Sequence, residues 1–283
     1  MKLYHLYGLA VASEFDCPEL AEITSEQAAA RNYATVHLVR ADAPLTLAQG
    51  RQFASWMHAT PDACLYQIGS MARILVERPD RITVEMLPEA AESDMRAYLF
   101  GTGFGTLLHM RGLIPLHISA IKTPTGVVAY TGPSGAGKST KVAGLYFKHG
   151  WPIICDDVAV LHPDDDQPLL HAGMNRLKLW KDAVERFGID PSRLTRDFMR
   201  DDKFHLAESE IFERTPRALD RLIELGRSEK DKLLNSNGAS AFTLLMNSIY
   251  RPELASLFGD RRAIFTELAR KAQAISICES DLP

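Results

Sequence analysis

Cysteine is scarce and unpatterned in this chain. The four residues, at positions 17, 64, 155 and 278, never form a C-x-x-C pair, which argues against a zinc ribbon or a thioredoxin-type motif and for reduced thiols. No apolar run reaches membrane-spanning length, and the opening Met1-Lys-Leu-Tyr-His-Leu-Tyr lacks the apolar core of a signal peptide, so a cytoplasmic protein is expected, with no membrane partner. Charge of one sign is not in excess either. With 32 Lys and Arg against 36 Asp and Glu, the net charge of −4 offers no footprint for nucleic acid. Internal repeats and low-complexity segments are absent. What remains is 283 residues, 46% of them apolar, enough for one large domain or two moderate ones with real cores.

One stretch organises the rest. Val127 to Thr131 is a short apolar run that opens into Gly132-x-x-x-x-Gly137-Lys138-Ser139, the full pattern of a phosphate-binding loop. Gly132, Gly135 and Gly137 can take backbone conformations closed to other residues, so successive N–H groups can turn toward a phosphate. A helix is expected to begin near Ser139 and to end at Gly150, adding its N-terminal dipole to the same spot. Gly132, Pro133, Ser134, Gly135, Ala136, Gly137, Lys138, Ser139 and Thr140 therefore form the expected cradle for ATP, with Lys138 on the β- and γ-phosphates and the Ser139 hydroxyl on Mg²⁺. A strand, Trp151 to Cys155, then ends in Asp156-Asp157. One carboxylate there can hold Mg²⁺ and the other can accept a proton from an incoming hydroxyl, the alternative being a plain acidic turn.

The flanking chain reads as two parts. Residues 1–88 are short β-prone runs separated by turn formers, with a hairpin at Arg78 to Arg81 and a helix around Leu47 to Met57, and form a small β-rich domain. Residues 89–283 form the α/β catalytic domain. Within it, Glu89 to Leu113 is expected to be helical, with Gly101-x-Gly103-x-Gly105 serving close packing or a kink. Ile114 to Ile121 is a strand carrying His117. His162 to Pro168 is a polar turn, and Arg176 and Lys178 share one face of a strand that can meet phosphates, an acidic peptide or water. Lys181 to Phe187 is a short helix stopped by Gly188. After a polar stretch rich in Arg, Leu219, Leu222, Ile223 and Leu225 have helical spacing behind Thr215-Pro216, Ala239 to Tyr250 carries an apolar helical stripe, and Ile275 to Cys278 adds an edge strand.

His117, Gly132-Pro-Ser-Gly-Ala-Gly-Lys-Ser139 and Asp156-Asp157, in that order and spacing, resemble the HPr kinase/phosphorylase superfamily. The wider pattern, including Leu116-His-Ile-Ser-Ala120 and Arg176-Leu-Lys-Leu-Trp180, is similar to the HPr-kinase-like proteins of lasso-peptide biosynthesis. The resemblance implies a P-loop HPr-kinase-like core with a smaller β-rich N-terminal domain. It also implies an ATP- and Mg-dependent kinase acting on a serine of a precursor peptide or small protein. On that reading Asp157 takes the serine proton, Asp156 supports metal or base, and His117 lines the transfer site. Thr140 stands where HPr kinases usually carry Glu, and their Glu-Ile-Arg-Gly signature is missing, so neither HPr as substrate nor the reverse reaction is implied. Asp182 or Glu185 could replace the missing carboxylate. Two alternatives stay open: a kinase of free serine or another small hydroxyl metabolite, and a nucleotide sensor that transfers nothing. A homo-oligomer is also left open.

Overall fold

The computed structural model describes residues 1–88, 90–197, 202–226 and 238–277. It is a mixed α/β chain that divides into two compact units. The first is Met1–Leu113 with Arg251–Arg261; the second comprises the described residues of Ile114–Tyr250 and Arg262–Pro283.

The first unit is built on a nine-stranded sheet. Its strands are β1 (Lys2–Leu6), β2 (Leu9–Ser13), β3 (Ala21–Glu22), β4 (Ala34–Arg40), β5 (Arg51–Ala54), β6 (Met57–Ala59), β7 (Ala63–Ile68), β8 (Ala72–Glu77) and β9 (Arg81–Met86), in the order β3-β1-β2-β4-β9-β8-β7-β6-β5. Near the N-terminus the β-prone chain is split in two because Tyr7 and Gly8 take positive φ and turn β1 back on β2. The expected hairpin at Arg78–Arg81 joins β8 to β9. No helix forms around Leu47–Met57. Gly50 interrupts the segment, the residues of β5 are mixed in polarity and mostly exposed, and β5 and β6 pair instead. The short helix α1 (Ser25–Ala30) is closed by a capping box between Thr24 and Gln27. Helices α2 (Glu92–Tyr98) and α3 (Phe104–Met110) are joined through one π-helical turn at Leu99–Gly103, where the glycines lie. A Cβ on Gly103 would stand 3.5 Å from Ile74 and Leu99, an ordinary contact distance, so the helical irregularity rather than close packing is what the structure shows at these glycines.

The second unit carries β10 (Ile114–Leu116), β11 (Ser119–Thr123), β12 (Gly126–Thr131), α4 (Lys138–His149), β13 (Ile153–Cys155), β14 (Ala159–Leu161), β15 (Leu169–Ala172), β16 (Leu177–Trp180), α5 (Lys181–Phe187), β17 (Leu194–Arg196), β18 (Lys203–Leu206), β19 (Arg217–Glu224), α6 (Gly238–Asn247), α7 (Pro252–Phe258), α8 (Arg261–Ala272) and β20 (Ser276–Ile277), except that α7 packs on α3 in the first unit. The main sheet runs β10-β14-β15-β19-β12-β11-β13, with β20 beside β19, and β16-β18-β17 form a small separate sheet. Leu219, Leu222 and Ile223 lie in a strand rather than a helix. β19 is inserted between β12 and β15 and presents apolar residues to a sheet covered on both sides, so its pattern does not alternate. The helices at 181–187 and 238–247 match expectation, and Gly150 ends α4 in the left-handed region. The acidic turn after β14 is held down as well as solvated: Arg270 and Lys271 donate to the carbonyls of Asp165, Asp166 and Gln167. Cys17, Cys64 and Cys155 are buried free thiols, and Cys278 lies outside the described residues. No helix among the described residues is long and apolar enough to cross a membrane.

Candidate active site

Two antiparallel pairings decide what meets at one end of the second unit. β11 runs antiparallel to β12, and β13 runs antiparallel to β11. The carboxyl ends of β12 and β13 therefore share an edge with the start of β11. That places the glycine-rich loop, Asp156-Asp157 and the pair His117 and Ser119 together.

The loop leaves β12 through Gly132, whose φ is 135°; a Cβ there would lie 2.5 Å from the Leu225 carbonyl oxygen, so no side chain fits. Gly137 is also left-handed, with φ 91°, and delivers the chain into α4. Lys138 is the first helical residue, and its ammonium folds back on the carbonyls of Gly132 at 2.9 Å and Pro133 at 3.2 Å. Burial lowers its pKa, opposed by Asp157 and Asp156. Pro133, Ser134 and Gly135 are exposed, while Ala136, Ser139 and Thr140 are half-buried at the loop's end and in the first turn of α4.

The two adjacent aspartates have different surroundings. Asp156 is buried; it accepts from the Ser119 hydroxyl at 2.6 Å and from the Lys178 backbone N–H at 2.8 Å, and Ser139 lies near enough to favour its charged form. Burial pushes its carboxyl up, and those hydrogen bonds only partly offset that. Asp157 takes a φ of 80°, a strained conformation for a residue with a side chain. Burial opposes its ionisation too, yet Lys178 and His117 prevail and hold it well below the usual carboxylate range. Lys178 Nζ is 2.5 Å from Asp157 Oδ2, and His117 Nε2 is 3.5 Å from Oδ1.

His117 lies between β10 and β11 rather than inside a strand. Its N–H donates to the Ser248 carbonyl at 2.6 Å and its ring meets Tyr250 edge-on at 6.3 Å. The Ser248 hydroxyl reaches Thr131 at 2.6 Å, so the end of α6 fixes both His117 and the last residue before the loop. Asp182 faces solvent against Arg186 at 3.6 Å, and Glu185 is exposed on the same short helix.

Ser119, Lys178 and Ser248 complete the site. Ser119 and Lys178 lie inside the stretches that carry the family resemblance, and Lys178 also stands in a basic–apolar alternation, whereas Ser248 has no signal in the sequence.

A magnesium ion fits the donors present. Mg²⁺ uses one or two carboxylates and keeps waters or takes phosphate oxygens, and Ser139 in the first turn of α4 with Asp156 at the end of β13 would supply a hydroxyl and a carboxylate. Asp156, buried and pushed toward its neutral form, would gain from a cation. Among the described residues no group of three or more His, Cys, Asp or Glu forms a cage, so such an ion would depend on nucleotide phosphates for further ligands.

No family model and no curated protein matches the chain. Among solved structures it is similar to the Hpr(Ser) kinase/phosphatase from Coxiella burnetii, at 18% identity over 44% of this chain and 68% of that one, with a TM-score of 0.23. A likeness that slight carries no inference about activity.

Proposed function

We propose that the chain is an ATP- and Mg²⁺-dependent kinase that phosphorylates a serine of a peptide or small protein, a lasso-type precursor peptide being the acceptor its motifs suggest. The observation that carries the reading is the difference between the adjacent Asp156 and Asp157: one is buried beside the loop and held by the Ser119 hydroxyl and the Lys178 N–H, and its neighbour stands between two cationic or protonatable groups with part of its side chain open to solvent. A sensor needs the first carboxylate but has no use for the second.

In this reading Lys138 exchanges the carbonyls of Gly132 and Pro133 for phosphate oxygens, and the loop N–H groups orient the phosphates. Bound Mg²⁺ supplies charge neutralisation across them. Asp157 takes the hydroxyl proton as the serine oxygen bonds to the γ-phosphorus and the bond to ADP breaks. Lys178 and His117 fix that carboxylate in place; phosphoryl transfer asks mainly for positioning and electrostatics, so a weakly basic carboxylate suffices. The β-rich N-terminal part would help hold the acceptor.

Intact mass spectrometry tests this directly. A serine-ended precursor-type peptide, HPr and free serine are each incubated with the protein, ATP and Mg²⁺. One phosphate gained by the peptide, and lost with Lys138→Ala, is expected. Gain on free serine alone would replace the acceptor class. No gain on any of the three, with ATP still bound, would favour the sensor.

A further inference from the structure

Arginines that are largely shielded from water here come with acceptors. Arg73 is paired with Glu85 and Arg96 with Glu19. Even more exposed ones are matched: Arg193 with Glu208, Arg217 with Glu213, Arg270 with Glu267. Arg176 breaks this pattern. It is half-buried, its Nε is shut off from water, and among the described residues no carboxylate or carbonyl accepts from its guanidinium. A buried N–H without an acceptor is destabilising, and a ligand that accepts from it removes that cost.

Its location says what kind of ligand. Arg176 immediately precedes β16, two residues before Lys178, so the two side chains share a face, and the charges of both disfavour protonation of His205, which is in register with Lys178 on β18. Lys178 is already engaged with Asp157. The acid on this small sheet, Asp197, is engaged with His205 at 2.8 Å. Trp180 and Lys203, paired across the same face, continue it as an aromatic and cationic ledge. Two residues along a strand span about 6.6 Å, which is also the reach from one side chain of an extended peptide to its near neighbours on the same side.

We infer that Arg176 selects the acceptor: it binds a carboxylate lying within two residues of the hydroxyl that approaches Asp157. That carboxylate is either an acidic side chain or the chain terminus. The inference rests on the kinase reading for the existence of an acceptor, so it is tested by binding as well as by turnover.

Fluorescein-labelled heptapeptides of Ala and Gly with one serine serve as probes, in three forms: neutral with an amidated end, with Asp two residues from the serine and an amidated end, and with serine at a free carboxyl end. Anisotropy is measured with the full chain and Mg²⁺ with a non-hydrolysable ATP analogue. At least one carboxylate form should bind about tenfold more tightly than the neutral one, as expected for a charge-assisted pair. Which form does so identifies the source. Arg176→Ala should erase the preference, and Arg176→Lys should keep part of it, guarding against a folding defect. The proposal falls if all three peptides bind alike or not at all, if the preference survives Arg176→Ala, or if that variant instead loses affinity for the ATP analogue. Phosphate gain in parallel ATP samples reports on the kinase reading separately, since selective binding without transfer would sink that reading and leave the role of Arg176 standing.

Discussion

Two ion pairs of similar exposure, one in each unit, are built to opposite ends. Arg73 and Glu85 lie on neighbouring strands of the first unit, with side chains 16% and 17% exposed. Glu85 accepts from the Ala43 N–H at 2.9 Å as well as from Arg73, and Arg73 donates to the Ala43 carbonyl at 3.2 Å. Every strong partner is satisfied within a few residues. Lys178 and Asp157, at 19% and 28%, form a pair just as close, but Asp157 is held at positive φ, adjoins a second buried carboxylate and shares its charge with His117. A closed pair stabilises a fold; a strained and crowded one persists when the rest of the structure over-determines it, and such places are where chemistry is found. The first pair belongs to the fold and the second to the site.

The sharpest way to break this comparison is Asp157→Asn. It keeps the shape and removes the charge, so phosphoryl transfer should fall by about 10³-fold, the usual worth of a positioned base, while ATP affinity and melting temperature stay close to wild type. Transfer that survives would move the base elsewhere, His117 being next in line. Charge removal on the two partners should then separate them by stability. Arg73→Ala leaves Glu85 part-buried against a backbone N–H alone and should cost roughly 2–3 kcal/mol, whereas Lys178→Ala leaves Asp157 with His117 and some solvent exposure and should cost less, about 1 kcal/mol. Urea unfolding distinguishes them when Trp56 reports on the first unit and Trp151 on the second. Equal losses would mean that both pairs are structural.

How much of this was legible beforehand follows from what each residue depends on. The strand, glycine-rich loop and helix at 126–150 are local: positive-φ glycines, an apolar run and a stop at Gly150 lie within 25 residues, and all were readable. The same holds for the hairpin at Arg78–Arg81 and the helix at Lys181–Phe187. Leu219 to Ile223 was misread as helical because its apolar spacing is set by a sheet sandwiched on both faces, which no local window contains. The helix expected around Leu47–Met57 failed for the converse reason, a mixed segment whose fate is decided by pairing with β7. In the site, Asp156, Asp157 and Lys138 could be picked from their motif. Ser119 lay in the stretch Leu116 to Ala120 but with no role to read, and Ser248 had no signal at all, since a serine shows its task only when the topology brings it to Asp156 or to Thr131. Thr140 has a place in the first turn of α4 but no contact that gives it a task.

The smallest expected effect tests the sheet that carries Lys178. His205 faces Lys178 from β18, and its pKa is lowered to about 4, chiefly by burial and then by Arg176 and Lys178, against the pull of Asp197. Because the folded value lies below the ordinary 6.5, the unfolded chain binds the proton first. Stability from this group is therefore complete above about pH 6.5 and declines as pH falls toward 4. The thinness of a three-stranded sheet lets water reach the ring on small excursions, so roughly 1–2 kcal/mol is expected across that window rather than the full value of the shift. Unfolding of the second unit, followed at pH 7.0 and 4.5 through Trp151, should show the loss, and His205→Gln should remove most of it while keeping a hydrogen bond to Asp197. An undiminished loss between pH 7.0 and 4.5 in His205→Gln would assign it to another group, and not to Glu213, whose pKa is lowered to about 2: burial works against this, but the Thr215 N–H, Lys122 and Arg217 outweigh it. Its contribution disappears only below about pH 4.5. The two are separable because they titrate in different windows, and only the His205 window coincides with the charges of Lys178 and Arg176, so a loss confined to pH 6.5–4 ties the stability of the small sheet to the cations it holds beside the site.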